Sequence, residues 1–384
     1  IIVVPFLAVA AILTYLAAVM TAVLNLRSHA VFTAFAPALP AAAIAASLIF
    51  MGRSMGAAAY GIGALLGALG FSMALAAKLY WARIPILHMG MPSLDSFVLA
   101  GRGLLIPSLA LMGAASLGQV LAIVERTVAL HAGAGTLASM AYSTRITSLP
   151  ALLATGLVGS IVFVDLAHAR AGFVFVRRLI DSVALFAIAS TFMAALIFVN
   201  ASYLVGLLFQ HGAFNSASAA STVQFLRLFC WAIPLQVVNP ILTYGLFAKG
   251  IPTRAAVASA ISVTANGILL VGLAPIIGPR AIPVALAVTS LLGTGLQSWY
   301  LLRRVPLPGA LRAVTAVGGY VLLCVASIAL ASTRIIATRG HGGLGLLLST
   351  VIFGALGLCF LRLAVPNFGR SRGHAALVAV SYTH

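Results

Sequence analysis

The sequence predicts an all-α polytopic membrane protein of about eleven transmembrane helices. The chain of 384 residues is 62% hydrophobic and 7% charged, with a mean hydropathy of +1.17, a balance that no water-soluble globule of this size carries. Its apolar residues run in charge-free stretches long enough to cross about 30 Å of hydrocarbon as helix. These stretches are rich in Ala and Leu and lack the ten-residue alternation of an outer-membrane barrel, which argues against strands.

The charged residues mark the elements off in order. The first span, 1–26, ends at Arg27. The second, 31–52, contains Pro37 and Pro40 and stops before Arg53. The third, 55–77, ends before Lys78 and carries Gly61, Gly63 and Gly67; inside an apolar run these glycines read as close helix packing and not as a phosphate loop. The fourth, 104–124, follows Arg102, includes Pro107 and closes at Glu125-Arg126. The fifth, 136–159, holds Arg145 and Pro150 within it. A basic loop with Arg170, Arg177 and Arg178 precedes the sixth, 182–209, and reads either as a topology-setting loop or as a short amphipathic segment on the membrane surface. The seventh, 219–247, contains Arg227, Pro234 and Pro240 and ends before Lys249. The eighth and ninth, 255–277 and 281–302, are bounded by Arg254, Arg280 and Arg303; the last two, 313–332 and 343–361, by Arg312, Arg334, Arg339 and Arg362. Prolines this frequent within or near spans suit a protein that rocks between two states, and static bundles also tolerate them.

Sorting the basic residues by alternate loops gives the orientation. Fifteen, from Arg27 and Lys78 through Lys249 and Arg303 to the tail at Arg372, fall on one side; Arg53, Arg126, Arg280, Arg334 and Arg339 fall on the other. The richer side, with the C-terminus, is expected in the cytoplasm, which puts Ile1 outside. No initiator Met or charged leader precedes the first span, so an odd number of helices is expected upstream, and the abrupt Val-Ser-Tyr-Thr-His ending reads as that of a gene fragment. The net charge of +18 belongs to these loops, where it attracts anionic lipid head groups; membrane lipids, not nucleic acid, are the expected partners.

Chemistry is constrained by scarcity. There are four acidic residues, Asp95, Glu125, Asp165 and Asp181, all expected at helix ends or in loops, and eight scattered His. No carboxylate pair stands at catalytic spacing and no metal-ligand pattern appears, so neither cofactor nor metal is expected. Cys230, Cys324 and Cys359 read as small core residues. Ionisable groups inside the membrane are costly and mark substrate or ion paths; only Arg145 and Arg227 qualify. A helix through Arg145 sets it on a face with Ala138, Ala141, Tyr142, Ser148, Leu149, Leu152, Gly156 and Gly159. That face either lines a wet cavity, where a planar guanidinium suits phosphate or carboxylate, or is structural, with Arg145 paired to Glu125 or to backbone carbonyls. Arg227, with Gln224 and Trp231 a turn to either side, reads as snorkelling to the outer interface beside an aromatic.

Two blocks resemble one family. Gln119 through Glu125-Arg126, then Gly133-Ala134-Gly135, then Ala141-Tyr142-Ser143-Thr144-Arg145-Ile146 and Leu149-Pro150 resemble the seventh and eighth helices of the MurJ (MviN) lipid II flippases. Leu207-Leu208-Phe209-Gln210-His211-Gly212-Ala213-Phe214 is similar to that family's Leu-Phe-x-x-Gly-x-Phe segment, and Phe247-Ala248-Lys249 with Pro252-Thr253-Arg254 to its Phe-Tyr-Ala-Arg and Thr-Arg-Thr-Pro region. The resemblance implies a two-lobed bundle of the MOP exporter superfamily that lacks the first three of fourteen helices. Residues 1–100 would be the rest of the N-terminal lobe, with three helices; 101–305 the six-helix C-terminal lobe; and 306–384 two further helices and a basic tail.

The function it implies is carriage of a polyprenyl-pyrophosphate-linked peptidoglycan precursor, lipid II, from the cytoplasmic to the outer leaflet of the bacterial inner membrane by alternating access. Arg145 would meet the pyrophosphate, with Gln119, Glu125, Tyr142 and Ser148 as the other substrate-binding candidates. Thr144 stands where the family commonly has an acid, Ser148 where some members carry Glu, Leu121 where Asn is frequent and Glu125 where Asp is usual. Three alternatives compete: a flippase for another polyprenyl-linked oligosaccharide or a drug exporter, the latter disfavoured by the lack of buried carboxylates; a membrane enzyme acting on lipid-linked sugars; and a scaffold of envelope synthesis.

Overall fold

The computed structural model describes residues 3–26, 32–33, 36, 38–82, 94–133, 135–158, 162–169, 173–210, 214, 216–303, 351, 354–360 and 362, and among them no strand occurs. The helices are α1 (Val3–Leu26), α2 (Ala38–Met55), α3 (Ala57–Trp81), α4 (Leu94–His131), α5 (Thr136–Leu157), α6 (Phe163–His168), α7 (Phe173–Val199), α8 (Ala201–Phe209), α9 (Ser216–Cys230), α10 (Ile233–Ala248), α11 (Pro252–Ile277) and α12 (Ala281–Leu302). Six helical stretches among the described residues are long and apolar enough to cross a membrane, or up to seven if α9 and α10 form one broken span. One of the six is the continuous run Pro252–Leu302, which the turn Gly278–Arg280 divides into α11 and α12. The span predicted at 313–332, most of that at 343–361, Cys324, the basic tail after Arg362 and loop residues 211–213 and 215 lie outside the described residues.

Several boundaries differ from the sequence expectation, each for a local reason. α4 starts at Leu94 and runs on to His131, so Glu125 and Arg126 are helical and not part of a loop. Charged residues at a helix end extend the helix into the interface as readily as they stop it, and the Gly133–Gly135 turn, with positive φ at both glycines, is what ends this one. α7 likewise begins at Phe173 and takes in Arg177, Arg178 and Asp181, shortening the basic loop. The predicted 182–209 helix breaks at Asn200, whose amide nitrogen donates to Leu196 O at 2.9 Å. The predicted 219–247 helix bends by 40° between Cys230 and Ile233, where Pro234 opens α10 in the first turn, which needs no N–H from it.

The chain divides into two compact units, residues 1–102 with 159–164, and 103–158 with 165–384. In the first, α1 and α2 both pack on α3, and Ala17 and Leu24 of α1 share a core with Ala36 and with Phe71, Leu75 and Leu79 of α3. Glycine sets the α2–α3 distance: a Cβ on Gly67 would stand 2.6 Å from Pro40 Cα, and one on Gly63 would stand 2.8 Å from Ile44 Cα. Ser47 uses that approach, its Oγ donating to Ile44 O at 2.9 Å or across the seam to Ala59 O at 2.8 Å. Ser72 Oγ makes the equivalent bridge to Leu13 O of α1, at 3.1 Å.

Two cores stand out among the described residues of the second unit. One joins Ile146, Ala194, Ile197, Ala201, Val205, Leu226, Cys230, Ile233 and Val237; the other joins the last turns of α4 to α5, α9, α11 and α12 through Ala129, Met140, Phe225, Phe229, Leu270 and Ile282. A polar seam ties α10 to α12. Gln297, wholly buried, donates to Asn239 Oδ1 at 3.2 Å and accepts from Thr243 Oγ1 at 3.3 Å. At the same end of this unit cations lie over aromatic rings: Lys249 over Phe175 at 4.1 Å, Arg254 over Tyr300 at 5.3 Å and Arg303 over Trp299 at 3.9 Å.

Gly63→Val is expected to lower the unfolding free energy of the detergent-solubilised protein by about 1–3 kcal/mol through overpacking, whereas Gly70→Ala, which meets no atom within 4 Å, does not lower it. Gln297→Leu strips Asn239 and Thr243 of their partner and is expected to lower stability by about 1 kcal/mol. Denaturant titration followed by circular dichroism measures both.

Candidate functional site

α5 presents two faces of opposite character. Ser139, Met140, Ser143, Ile146, Thr147 and Pro150 are buried. Ser143 Oγ lies 2.8 Å from Ser139 O and 2.9 Å from Thr222 O of α9, and Thr147 Oγ1 returns to Ser143 O at 3.1 Å, so the hydroxyls on this face are satisfied within the packed seam. Ala138, Ala141, Tyr142, Arg145, Leu149 and Leu152 are exposed. The close helix contact offered by the sequence for the Arg145 face is therefore made by the opposite one.

Arg145 stands on the open face about 14 Å along the axis from the start of α5. Among the described residues its guanidinium has neither an ion pair nor a hydrogen bond, and the pairing with Glu125 is not formed. Ser148 Oγ donates to the Arg145 carbonyl at 3.1 Å, which satisfies Ser148 and leaves the guanidinium free to meet a ligand. A charged guanidinium turned to hydrocarbon at such depth costs at least about 2.5–3.5 kcal/mol, so an unpaired one requires water or an anion on that face.

Tyr142, one turn earlier on the same face, is 37% exposed. Its ring lies 4.7 Å from Phe209 at the end of α8 and 5.5 Å, edge-on, from Phe214; the two Phe rings are 6.2 Å apart. These phenylalanines were not singled out as site residues from sequence. The only signal was that both belong to one short stretch of sequence, Phe209 to Phe214. On α4, Glu125 is half-buried beside the seam formed by Leu121, Val124 and Val128, and Gln119 is exposed. No hydrogen bond or ion pair among the described residues links either to α5. The structure thus brings Tyr142, Arg145 and Ser148 together and leaves Gln119 and Glu125 apart from them.

Arg227 differs from Arg145. It is half-buried, its guanidinium lies 5.7 Å from the centre of the Phe198 ring, and its Nε is buried without a hydrogen-bond partner. The neighbouring aromatic is Phe198 of α7, itself edge-on to Trp231 at 6.0 Å. Gln224 turns the other way: with its amide oxygen facing Arg280 it accepts from Nη2 at 2.9 Å and Nε at 3.2 Å.

The family model described as lipid II flippase MurJ matches residues 1–353. The chain belongs to the MurJ lipid II flippase family. A solved structure, "Lipid II flippase MurJ, inward closed conformation", is similar to it with a TM-score of 0.66, covering 93% of this chain and 72% of that chain at 16% identity, a likeness of fold. No curated protein sequence matches. As a member of the MurJ family the protein is a flippase, a transporter and not an enzyme, and the drug-exporter, enzyme and scaffold readings find no support. MurJ proteins belong to the inner membrane, in keeping with the apolar helices found here.

The open face of α5 makes a measurable expectation. With Cys230, Cys324 and Cys359 replaced, Arg145→Cys is expected to react with a charged, water-soluble maleimide at least about tenfold faster than Ser143→Cys, because only a thiol in water forms the reactive thiolate. Equal rates would place both side chains in the same surroundings.

Proposed function

We propose that the protein carries lipid II from the cytoplasmic to the outer leaflet by alternating access, with Arg145 as the contact for the substrate's pyrophosphate. The match of residues 1–353 to the lipid II flippase family carries the reading. The unpaired, exposed guanidinium of Arg145 supports the assignment of the charge-binding group. A pyrophosphate offers several acceptor oxygens to a rigid fork of N–H donors, and arginine keeps its charge without a carboxylate to hold it there.

Transport then needs the anion to be bound firmly enough to enter the membrane and loosely enough to leave it. One guanidinium on an otherwise neutral face meets both demands, because no fixed negative charge repels the ligand and no second cation on that face traps it. Gln119 and Glu125 on α4 belong to this reading as groups that approach the ligand in another state of the cycle. Ser148, one turn from Arg145, belongs to this reading as a further polar group on that face.

The orientation follows the basic residues. Lys249, Arg254 and Arg303, lying over aromatic rings at one end of the second unit, suit the cytoplasmic interface with its anionic head groups, and this supports a cytoplasmic C-terminus. The residue ranges 1–100, 101–305 and 306–384 remain our division into N-terminal lobe, C-terminal lobe and terminal helices.

Expressed from its gene in a bacterium depleted of its own lipid II flippase, the intact protein is expected to restore growth. Arg145→Ala, at matched membrane abundance, is expected to lose about 10- to 100-fold in transport, the worth of a hydrogen-bonded charge contact. Arg145→Lys, which keeps the charge and loses the fork, is expected to fall between them. Rescue by Arg145→Ala equal to the intact protein would make the arginine structural.

A further inference from the structure

The exposed face of α5 changes chemistry turn by turn. Tyr142 stands about 4.5 Å along the axis before Arg145, and Leu149 and Leu152, both exposed, stand about 6 and 10 Å after it, all within an arc of about 80° on the helix. The order is aromatic, cationic, aliphatic. A lipid-linked saccharide has the same order of parts: a pyranose, the pyrophosphate bonded to it, and a prenyl chain.

The tyrosine is prepared for such a role. Phe209 and Phe214 pack on it, fixing its ring, while 37% of the residue stays exposed. Its hydroxyl makes no hydrogen bond among the described residues and is free for a sugar hydroxyl. Pyranose C–H bonds carry partial positive charge and lie favourably against the negative face of an aromatic ring, which is why a rigid, half-open ring next to a guanidinium suits a sugar phosphate better than an aliphatic side chain does.

We infer that Tyr142, held by Phe209 and Phe214, is the stacking platform for the first sugar of the substrate, so that the saccharide lies toward the start of α5 and the prenyl chain along Leu149 and Leu152. This rests on the proposed lipid II reading and adds to it a direction and a specificity-determining residue. With the orientation proposed above, the start of α5 faces outward, so the platform receives the headgroup in the posture it adopts in the outer leaflet.

Two probes separate the parts: lipid II, and undecaprenyl pyrophosphate, which has the anion and the chain but no sugar. Binding of each to the purified full chain in detergent would be measured for the intact protein, Tyr142→Leu and Arg145→Ala. Tyr142→Leu is expected to weaken lipid II binding about five- to tenfold and to change undecaprenyl pyrophosphate binding less than about twofold; Arg145→Ala is expected to weaken both. Equal loss of both probes in Tyr142→Leu, or loss of neither, would overturn the platform while leaving the flippase reading intact. Failure of the intact protein to bind either probe would instead count against that reading.

Should Tyr142→Leu not fold, a photoreactive side chain placed at Ala138 or at Leu152, with Tyr142 intact, tests the direction. Position 138 is expected to crosslink to lipid II and not to the sugar-free probe, and position 152 to crosslink to both. Crosslinking of the sugar-free probe at 138, or of the saccharide at 152, would reverse the order and end the proposal.

Discussion

Absence of water within the bilayer governs this structure. A hydroxyl, amide or guanidinium in a spanning helix has no solvent to fall back on, so leaving one without a partner in the protein is costly. Several threonines find one in the nearest carbonyl, Thr14 with Ala10, Thr191 with Ala187 and Thr289 with Ala285, each at 2.7 Å, whereas the hydroxyls of Thr21 and Thr294 are buried without one. Where helices approach closely enough, a hydroxyl reaches across instead, as Ser47 does to Ala59 and Ser143 to Thr222. The small residues that allow such approach are as necessary as the hydroxyls, because Ser47 could not reach Ala59 O if Gly63 and Gly67 carried side chains.

Arg145 gains its meaning from that rule. Many neutral hydroxyls here are absorbed locally, and against that background a full charge left unpaired on an exposed helix face supports the proposed contact with a ligand. Arg227 shows the other solution, in which a half-buried guanidinium lies over the ring of Phe198. The same side chain in two spans thus meets two fates, decided by which face of the helix carries it.

Much of this was legible in the sequence, and the exceptions are instructive. Helices could be read up to residue 302 because a charge in hydrocarbon is expensive and charge-free runs are therefore long. Their ends could not, because Arg102, Arg126 and Arg177 lie in helices that continue past them; long basic side chains reach the interface without ending the helix. Breaks at Asn200 and at Trp231–Ala232 were hidden too, since Asn200 caps the preceding turn locally and Pro234 is compatible with the first turn of α10. Of the site, Arg145 was visible as an isolated charge, and its face followed from helical periodicity. Phe209 and Phe214 were not, because their contact with Tyr142 joins segments more than sixty residues apart, which no local pattern encodes.

The seam between α10 and α12 has a consequence of its own. Gln297, Asn239 and Thr243 bind one another through amides and a hydroxyl, groups that neither take up nor release a proton at any pH a bacterium meets. Acidifying one side of the membrane, or discharging its voltage, leaves this clasp untouched. Protonation therefore does not loosen the α10–α12 seam, and any dependence of the protein on pH arises from groups elsewhere.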